Sequence, residues 1–280
     1  MLPAGTEEQI AAAIAEDVGD GDHTTLGTIP STARGGMRLL VKQPGILAGV
    51  ELARLICAHS DPDLHLRVLL EDGAIVAPGD MAFTVNGPVR SLLTVERVLL
   101  NFVQRLSGIA TMTRRFVDAI EGTGCRVLDT RKTTPNLRAL EKWAVLIGGG
   151  ENHRFGLFDM VMIKDNHVDF AGGIANAIEA ARRYLADRGL DLPIEVETRN
   201  LDEVRQVLVL GGVQRIMLDN FALPDLRQAV KLINGNYPTE ASGGITLDTA
   251  RAYAECGVNF ISVGALTHSP GSLDLSLKAL

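Results

Sequence analysis

Aromatic residues make up only 4% of this 280-residue chain, with a single Trp. That scarcity excludes a nucleic-acid stacking surface, which needs aromatic platforms beside basic residues. A pI near 5.4 and a formal net charge of −7 exclude a general polyanion binder. Only three cysteines occur, Cys57, Cys125 and Cys256, far apart and without CxxC or Cys/His metal spacing. They read as buried free thiols in a reducing cytosol. No apolar run approaches the roughly 20 residues that span a bilayer, and MLPAGTEEQI has neither a cationic nor an apolar leader region. The expectation is a cytoplasmic protein with no membrane or nucleic-acid partner. No GxGxxG opens a strand–helix unit, which weakens the case for a dinucleotide fold.

The order of patterns is informative. Residues 7 to 18 carry Ile10, Ala13, Ile14 and Val18 at helical spacing. DVGDGDHTT follows and reads as a polar loop. MRLLVKQ and GILAG read as strands, ELARLICAHS as a helix, and the stretch to residue 90 as short strands between Asp-Gly, Pro-Gly and Asn-Gly turns. Leu92, Val95, Leu99, Phe102, Val103 and Leu106 form a helical stripe, which Gly108 is expected to interrupt. Arg97 and Arg105 break into this apolar face and read as surface arginines laying their stems along it. From Gly124 the chain alternates. CRVLDT, DMVMIK, PIEVET, QRIMLDN, PTEAS and NFISVGA read as strands, the first five each followed by a helical pattern, with Asn200 and Glu203 capping one of the helices. Alternation of this kind means parallel βα units. Two closures are open at this level, an incomplete barrel of about six strands and an open, doubly wound sheet, with the barrel preferred. The fold class is therefore α/β, an N-terminal α+β sandwich domain (1–107) before the barrel (108–268), with a tail (269–280) returning to the first domain.

The polar residues fall at strand ends. Arg131 and Lys132 follow VLDT, Lys164 ends VMI, Glu197 ends PIEV, Asp219 ends RIML, Ser242, Gly243 and Gly244 follow TEA, and Gly264 follows FISV. In a parallel barrel these positions share one mouth, where such folds place their chemistry. Between Arg126 and Lys164 there are seven cations against four anions, a reversal of sign that marks an anionic ligand. Arginine forks grip carboxylates through paired hydrogen bonds and lysine adds a point charge, so Arg131, Lys132, His153, Arg154 and Lys164 suit a ligand with more than one carboxylate, or with a carboxylate and phosphates. Two carboxylates at neighbouring strand ends, Glu197 and Asp219, suit a hard cation that keeps its waters, hence Mg2+. Glu195 shares the face of Glu197 but lies deeper, where a structural partner is expected. The Ser242–Gly244 turn and the following helix N-terminus suit a phosphate.

LSGIAT, DTRKT, GGGENHR, IKDNH, EVET, LDN, EASGGI, ISVGALTH and LDLSLK occur in this order, and together the chain resembles the quinolinate phosphoribosyltransferases from about residue 97 to its end. DVGDGDHTT resembles that family's N-terminal signature as well. The resemblance implies transfer of phosphoribosyl from phosphoribosyl pyrophosphate to quinolinate, with loss of CO2, to give nicotinate mononucleotide. It implies that Arg97, Arg131, His153, Arg154 and Lys164 hold quinolinate, with Lys132 near both substrates. Glu197 and Asp219 would meet the ribose hydroxyls and Mg2+, partly through water, and act with Lys132 in catalysis. Ser242, Gly243, Gly244, Gly264 and His268 would cradle phosphate. It implies a homodimer or hexamer in which Arg97 reaches a neighbouring subunit's site. Leu146-Ile147, Thr134 and Trp143 depart from common family residues, with tuning as the expected effect. A paralogue with altered specificity and a non-catalytic anion binder are the competing readings.

Overall fold

The structure is a computed structural model that describes residues 2–280. The first elements are α1 (Thr6–Val18), α2 (His23–Thr28), β1 (Arg34–Val41), β2 (Gly45–Ile46), α3 (Val50–Ser60), β3 (His65–Val68), β4 (Ile75–Val76), β5 (Met81–Pro88) and α4 (Val89–Ala119). The chain continues through β6 (Arg126–Leu128), α5 (Arg138–Ile147), β7 (Val161–Ile163), α6 (Asp165–Ala171), α7 (Ile174–Arg188), β8 (Ile194–Thr198) and α8 (Leu201–Leu210). It closes with β9 (Arg215–Asp219), α9 (Leu223–Ile233), β10 (Thr239–Ser242), α10 (Leu247–Ala254), β11 (Phe260–Ser262), α11 (Ala265–His268) and β12 (Leu275–Ala279). Among the described residues, no helix is long and apolar enough to cross a membrane.

Two compact units result. Unit 1 comprises Met1–Arg114, Thr133–Gly149 and Leu266–Leu280, and unit 2 comprises Arg115–Lys132 and Gly150–Ala265. The expected boundary at residue 107 falls inside α4, which is one helix of 31 residues.

Unit 1 is built on an antiparallel sheet of order β12-β1-β5-β3. Its strand β1 buries Met37, Leu39 and Val41 on one face by the period-two rule. Gly108 does not interrupt α4 as expected from its low helix propensity. A Cβ there would stand 2.0 Å from the Gly271 carbonyl oxygen, so the glycine serves a close backbone approach inside the unit. The DVGDGDHTT stretch is not all loop: the Asp22 carboxylate accepts the Thr25 N–H at 3.0 Å and starts α2. Arg105 is also more than a surface arginine. It donates to the fully buried Glu141 at 2.8 Å and to the Thr267 carbonyl, while Glu141 accepts from the Thr134 N–H and hydroxyl.

Unit 2 carries all six expected strands in one parallel sheet of order β6-β11-β10-β9-β8-β7. From β7 to β11, strands adjacent in sequence lie side by side, and the last returns to pair with the first. That is a barrel left open between β6 and β7. A doubly wound sheet would instead reverse direction at its first strand. The outer edge of β6 is bridged to Glu151. Registers align Met162 with Glu195, Glu195 with Arg215, Glu240 with both Met217 and Phe260, and Phe260 with Arg126. Partners in parallel register share a face, so these side chains line one interior.

Candidate active site

The mouth of unit 2 is made where the strands stop. Past β6, Asp129 is fully buried and its carboxylate accepts the His153 N–H at 2.8 Å. Arg131 and Lys132 follow on the surface side. Lys132 is exposed, and its N–H donates to the Thr130 hydroxyl at 3.0 Å. Arg131 is half-buried, and its Nε is buried without a hydrogen-bond partner. Arg154 is half-buried and donates to the Met160 carbonyl at 3.2 Å. Burial first, and then the charge of Arg131, push the Arg154 pKa below its ordinary value. Two guanidinium groups are therefore held near enough to repel, and an anion between them would relieve both.

Lys164 ends β7 and caps α6, its Nζ 3.1 Å from Glu197 Oε2 at the end of β8. Asp219, at the end of β9, accepts from the Asn220 side chain at 2.6 Å. Asn220 takes a left-handed conformation at φ 55° and donates its N–H to the Ser242 carbonyl at 2.9 Å, joining the ends of β9 and β10. Gly243, at φ 98°, lies against Asn220: a Cβ would meet Oδ1 at 2.2 Å. Its glycine is thus required by packing, while Gly244, also at positive φ, faces open space within which an anion can approach the backbone. Gly264 lies between β11 and α11, half-buried. The structure gathers these residues in unit 2. Arg97 and His268 belong to unit 1. Arg97 is exposed on α4, and His268 is exposed at the end of α11 with its Nδ1 2.5 Å from the Ser269 hydroxyl.

Beneath the mouth lies a second charged group that strand-end reasoning only half reached. His153 Nε2 stands 3.0 Å from Glu195 and 3.4 Å from Glu240, and Arg215 stands 2.9 Å from Glu240 and 3.8 Å from Glu195. Glu195 thus has the structural partner expected for it. Glu240 and Arg215 were not singled out in sequence, although Glu240 shares the strand face of Ser242 and so had a signal. The His153 ring points down to the carboxylates, and its Nδ1 accepts the Arg154 N–H at 2.7 Å. A histidine expected to donate to the ligand thus has both ring nitrogens engaged. Burial lowers the His153 pKa, but Glu195 and Glu240 outweigh it and lift it to about 9. Burial, and then Glu240, raise the Glu195 pKa as well.

The His153, Glu195 and Glu240 ligand atoms lie within 4.8 Å of one another, as in a metal site. A proton on Nε2 and the Arg215 guanidinium fill the place that a cation would take. Further down, a cavity of about 300 Å³ opens at the N-terminal ends of the strands. There the Arg126 and Arg215 guanidinium groups lie over the Phe260 ring at 4.3 and 4.4 Å. Burial pushes the Cys57 and Cys125 thiols up to about 12, so neither is a nucleophilic thiolate.

Family models match most of the chain: quinolinate phosphoribosyl transferase, N-terminal domain, over residues 22–107, and the C-terminal domain over residues 109–278. Nicotinate-nucleotide pyrophosphorylase (carboxylating), chloroplastic, of Oryza sativa is 49% identical, covering 96% of this chain and 76% of the rice protein. A probable nicotinate-nucleotide pyrophosphorylase (carboxylating) of Synechocystis is 46% identical over 95% of this chain and 89% of its own. The crystal structure of NadC from Streptococcus pyogenes superposes with a TM-score of 0.94 at 39% identity, covering 100% of this chain and 99% of the other.

Proposed function

The chain belongs to the quinolinate phosphoribosyltransferase family, and from that premise we propose how its residues carry the family's reaction. It transfers the phosphoribosyl group of phosphoribosyl pyrophosphate to quinolinate with decarboxylation, giving nicotinate mononucleotide, CO2 and pyrophosphate in NAD biosynthesis. The site assignment is carried by one observation: in an acidic protein, the Arg131 Nε at the end of β6 is buried and unpartnered, and the Arg131 charge acts with burial to depress the Arg154 pKa. A substrate carboxylate supplies the missing acceptor. In this reading Arg131 and Arg154 grip quinolinate from the β6 and Glu151–Met160 side, and Lys164 adds charge from β7. Lys132, exposed beside Arg131, meets both substrates. His153 acts from below, through the Arg154 backbone.

The quinolinate nitrogen forms its bond to ribose C1 as the bond from C1 to pyrophosphate breaks, so C1 is cation-like in the transition state. Glu197 and Asp219 orient the ribose hydroxyls at the ends of β8 and β9. The same two carboxylates are hard oxygen donors and fit Mg2+, with substrate phosphates and water completing its shell. Bound there, the ion would neutralise charge on departing pyrophosphate. Ser242 and Gly244 present backbone to phosphate, Gly243 keeps that turn against Asn220, and Gly264 adds a further glycine at the end of β11. Loss of CO2 leaves an electron pair on the ring carbon beside the nitrogen, the new positive charge on that nitrogen offsets it, and a proton from water takes the place of the lost carboxylate.

A homodimer or hexamer is part of the proposal, with exposed Arg97 donated to the neighbouring subunit's quinolinate. A cytoplasmic setting is also part of it. The test is to incubate the chain with quinolinate, phosphoribosyl pyrophosphate and Mg2+. Nicotinate mononucleotide and CO2 are expected in equal amounts, with no product when nicotinate replaces quinolinate. Turnover of nicotinate, or none of quinolinate, would overturn the reading.

A further inference from the structure

The outer edge of β6 carries a short parallel ladder that leads into both arginine-bearing segments. The Glu151 N–H donates to the Val127 carbonyl at 2.8 Å, and the Asp129 N–H donates to the Glu151 carbonyl at 3.1 Å. Parallel ladders alternate in this way from one chain to the other. The next rung would run from the His153 N–H to the Asp129 carbonyl. Instead, the His153 N–H donates to the Asp129 carboxylate, at 2.8 Å from Oδ1. A side chain has taken the place of the main-chain acceptor, so the bond is kept while the two backbones part. Main-chain pairing on this edge is confined to the bridge between Leu128 and Glu151. Asp129 is fully buried, so water does not compete for the same N–H. Arg131 follows Asp129 by two residues, and Arg154 follows His153 by one. A ladder carried on would keep the chains about 4.8 Å apart up to the arginines. A carboxylate gripped from two sides needs more room, since each N–H to O bond alone takes about 2.9 Å.

We propose that Asp129 is a positioning residue for quinolinate: by accepting the His153 N–H in place of its own carbonyl, its carboxylate ends the ladder and sets the separation from which Arg131 and Arg154 grip the substrate. The quinolinate part rests on the reaction and site assignment given above, whereas the bond and the ended ladder do not. Asp129 lies beneath the mouth, so it acts through the two backbones and not on the substrate. Groups that orient a residue touching substrate commonly change activity by about 10- to 100-fold when removed.

Two variants and one exchange measurement test this in the full chain. Asp129→Ala removes the acceptor, and Asp129→Asn keeps an oxygen that can take the same N–H. Asp129→Ala is expected to raise the quinolinate KM at least about tenfold. The KM for phosphoribosyl pyrophosphate should stay within about threefold, since Glu197, Asp219 and the Ser242–Gly244 turn stand on other strand ends. Asp129→Asn should stay within about threefold of the wild type on both. Amide hydrogen exchange followed by NMR should show the wild-type His153 N–H as slow as that of Asp129, and Asp129→Ala should speed the first. A freely exchanging His153 amide in the wild type would overturn the proposal. So would an Asp129→Ala enzyme with unchanged quinolinate KM, one in which both KM values rise alike, or an Asn variant that loses as much as the Ala variant. If Asp129→Ala fails to fold, the wild-type exchange and the Asn variant still decide. A wild-type chain without phosphoribosyltransferase activity would overturn the reaction reading and leave the exchange measurement standing.

Discussion

Lys164 and Arg215 are both cations bonded to a glutamate of the same parallel sheet, at 3.1 and 2.9 Å, yet they live in different media. The Lys164 side chain is 46% exposed and that of Arg215 is 20% exposed. At the mouth, water screens the pair, and either partner can let go and take a substrate group. In the interior, Glu195 and Glu240 have left water entirely, and each carboxylate depends on a proton or a guanidinium for compensation. Pairs of a cation with a glutamate thus form exchangeable partners above and a fixed framework below. The depth of a charge along its strand, more than its identity, separates the binding residue from the supporting one.

The largest expected effect is in the interior. Arg215→Ala strips the bonded guanidinium from buried Glu240 and a nearby charge from Glu195, and should lower stability by about 3–5 kcal/mol in urea unfolding. A loss below about 1 kcal/mol would put Arg215 in the same class as the surface pairs and break the comparison. At the mouth the loss should appear in activity. Arg131→Ala should lower kcat/KM for quinolinate about 100-fold, the equivalent of about 3 kcal/mol for a charged hydrogen-bonding partner. Its Tm should move by less than about 3 °C. Lys132→Ala should lower kcat at least about tenfold, and full turnover in that variant would remove Lys132 from the catalytic set.

The pH dependence sharpens the contrast. The His153 pKa is raised from an ordinary 6.5 to about 9, so the shared proton stabilises the fold fully below 6.5. That contribution declines as the pH rises from 6.5 and is lost above about 9. Thermal unfolding across this window should show Tm falling, with a weaker decline in His153→Asn. The smallest effect belongs to Lys164→Ala, whose half-exposed pair should be worth no more than about 1 kcal/mol of stability in chemical unfolding. A larger loss would mean that the mouth, too, is framework.

Much of the mouth was legible because strand periodicity and turn residues are local. Arg131, Lys164, Glu197, Asp219 and Ser242 could be placed at strand ends from runs of four to six residues, and parallel order then brings such ends to one side. Alternation of strand and helix patterns gave the parallel βα units, and the strand order β6-β11-β10-β9-β8-β7 decided between the two closures. Helix α4 shows the limit: Gly108 reads as a break by propensity, and only the Gly271 backbone lying against it explains why the helix runs on. Arg105 reads as a surface residue by periodicity, and only the folded unit supplies Glu141 as its partner.

By itself the sequence determined the parallel α/β class, the sign of the ligand and the residues at the strand ends, since each depends on spacing within one element. Tertiary structure alone decided which charges stay in water and which are paired beneath it. Arg215 and Glu240 are 25 positions apart, and no local pattern couples them. They meet because register sets Glu240 beside Met217, and Arg215 lies two residues before Met217 on the same face of β9. The direction of the His153 ring was decided in the same way, by carboxylates from β8 and β10 waiting under the loop between α5 and β7.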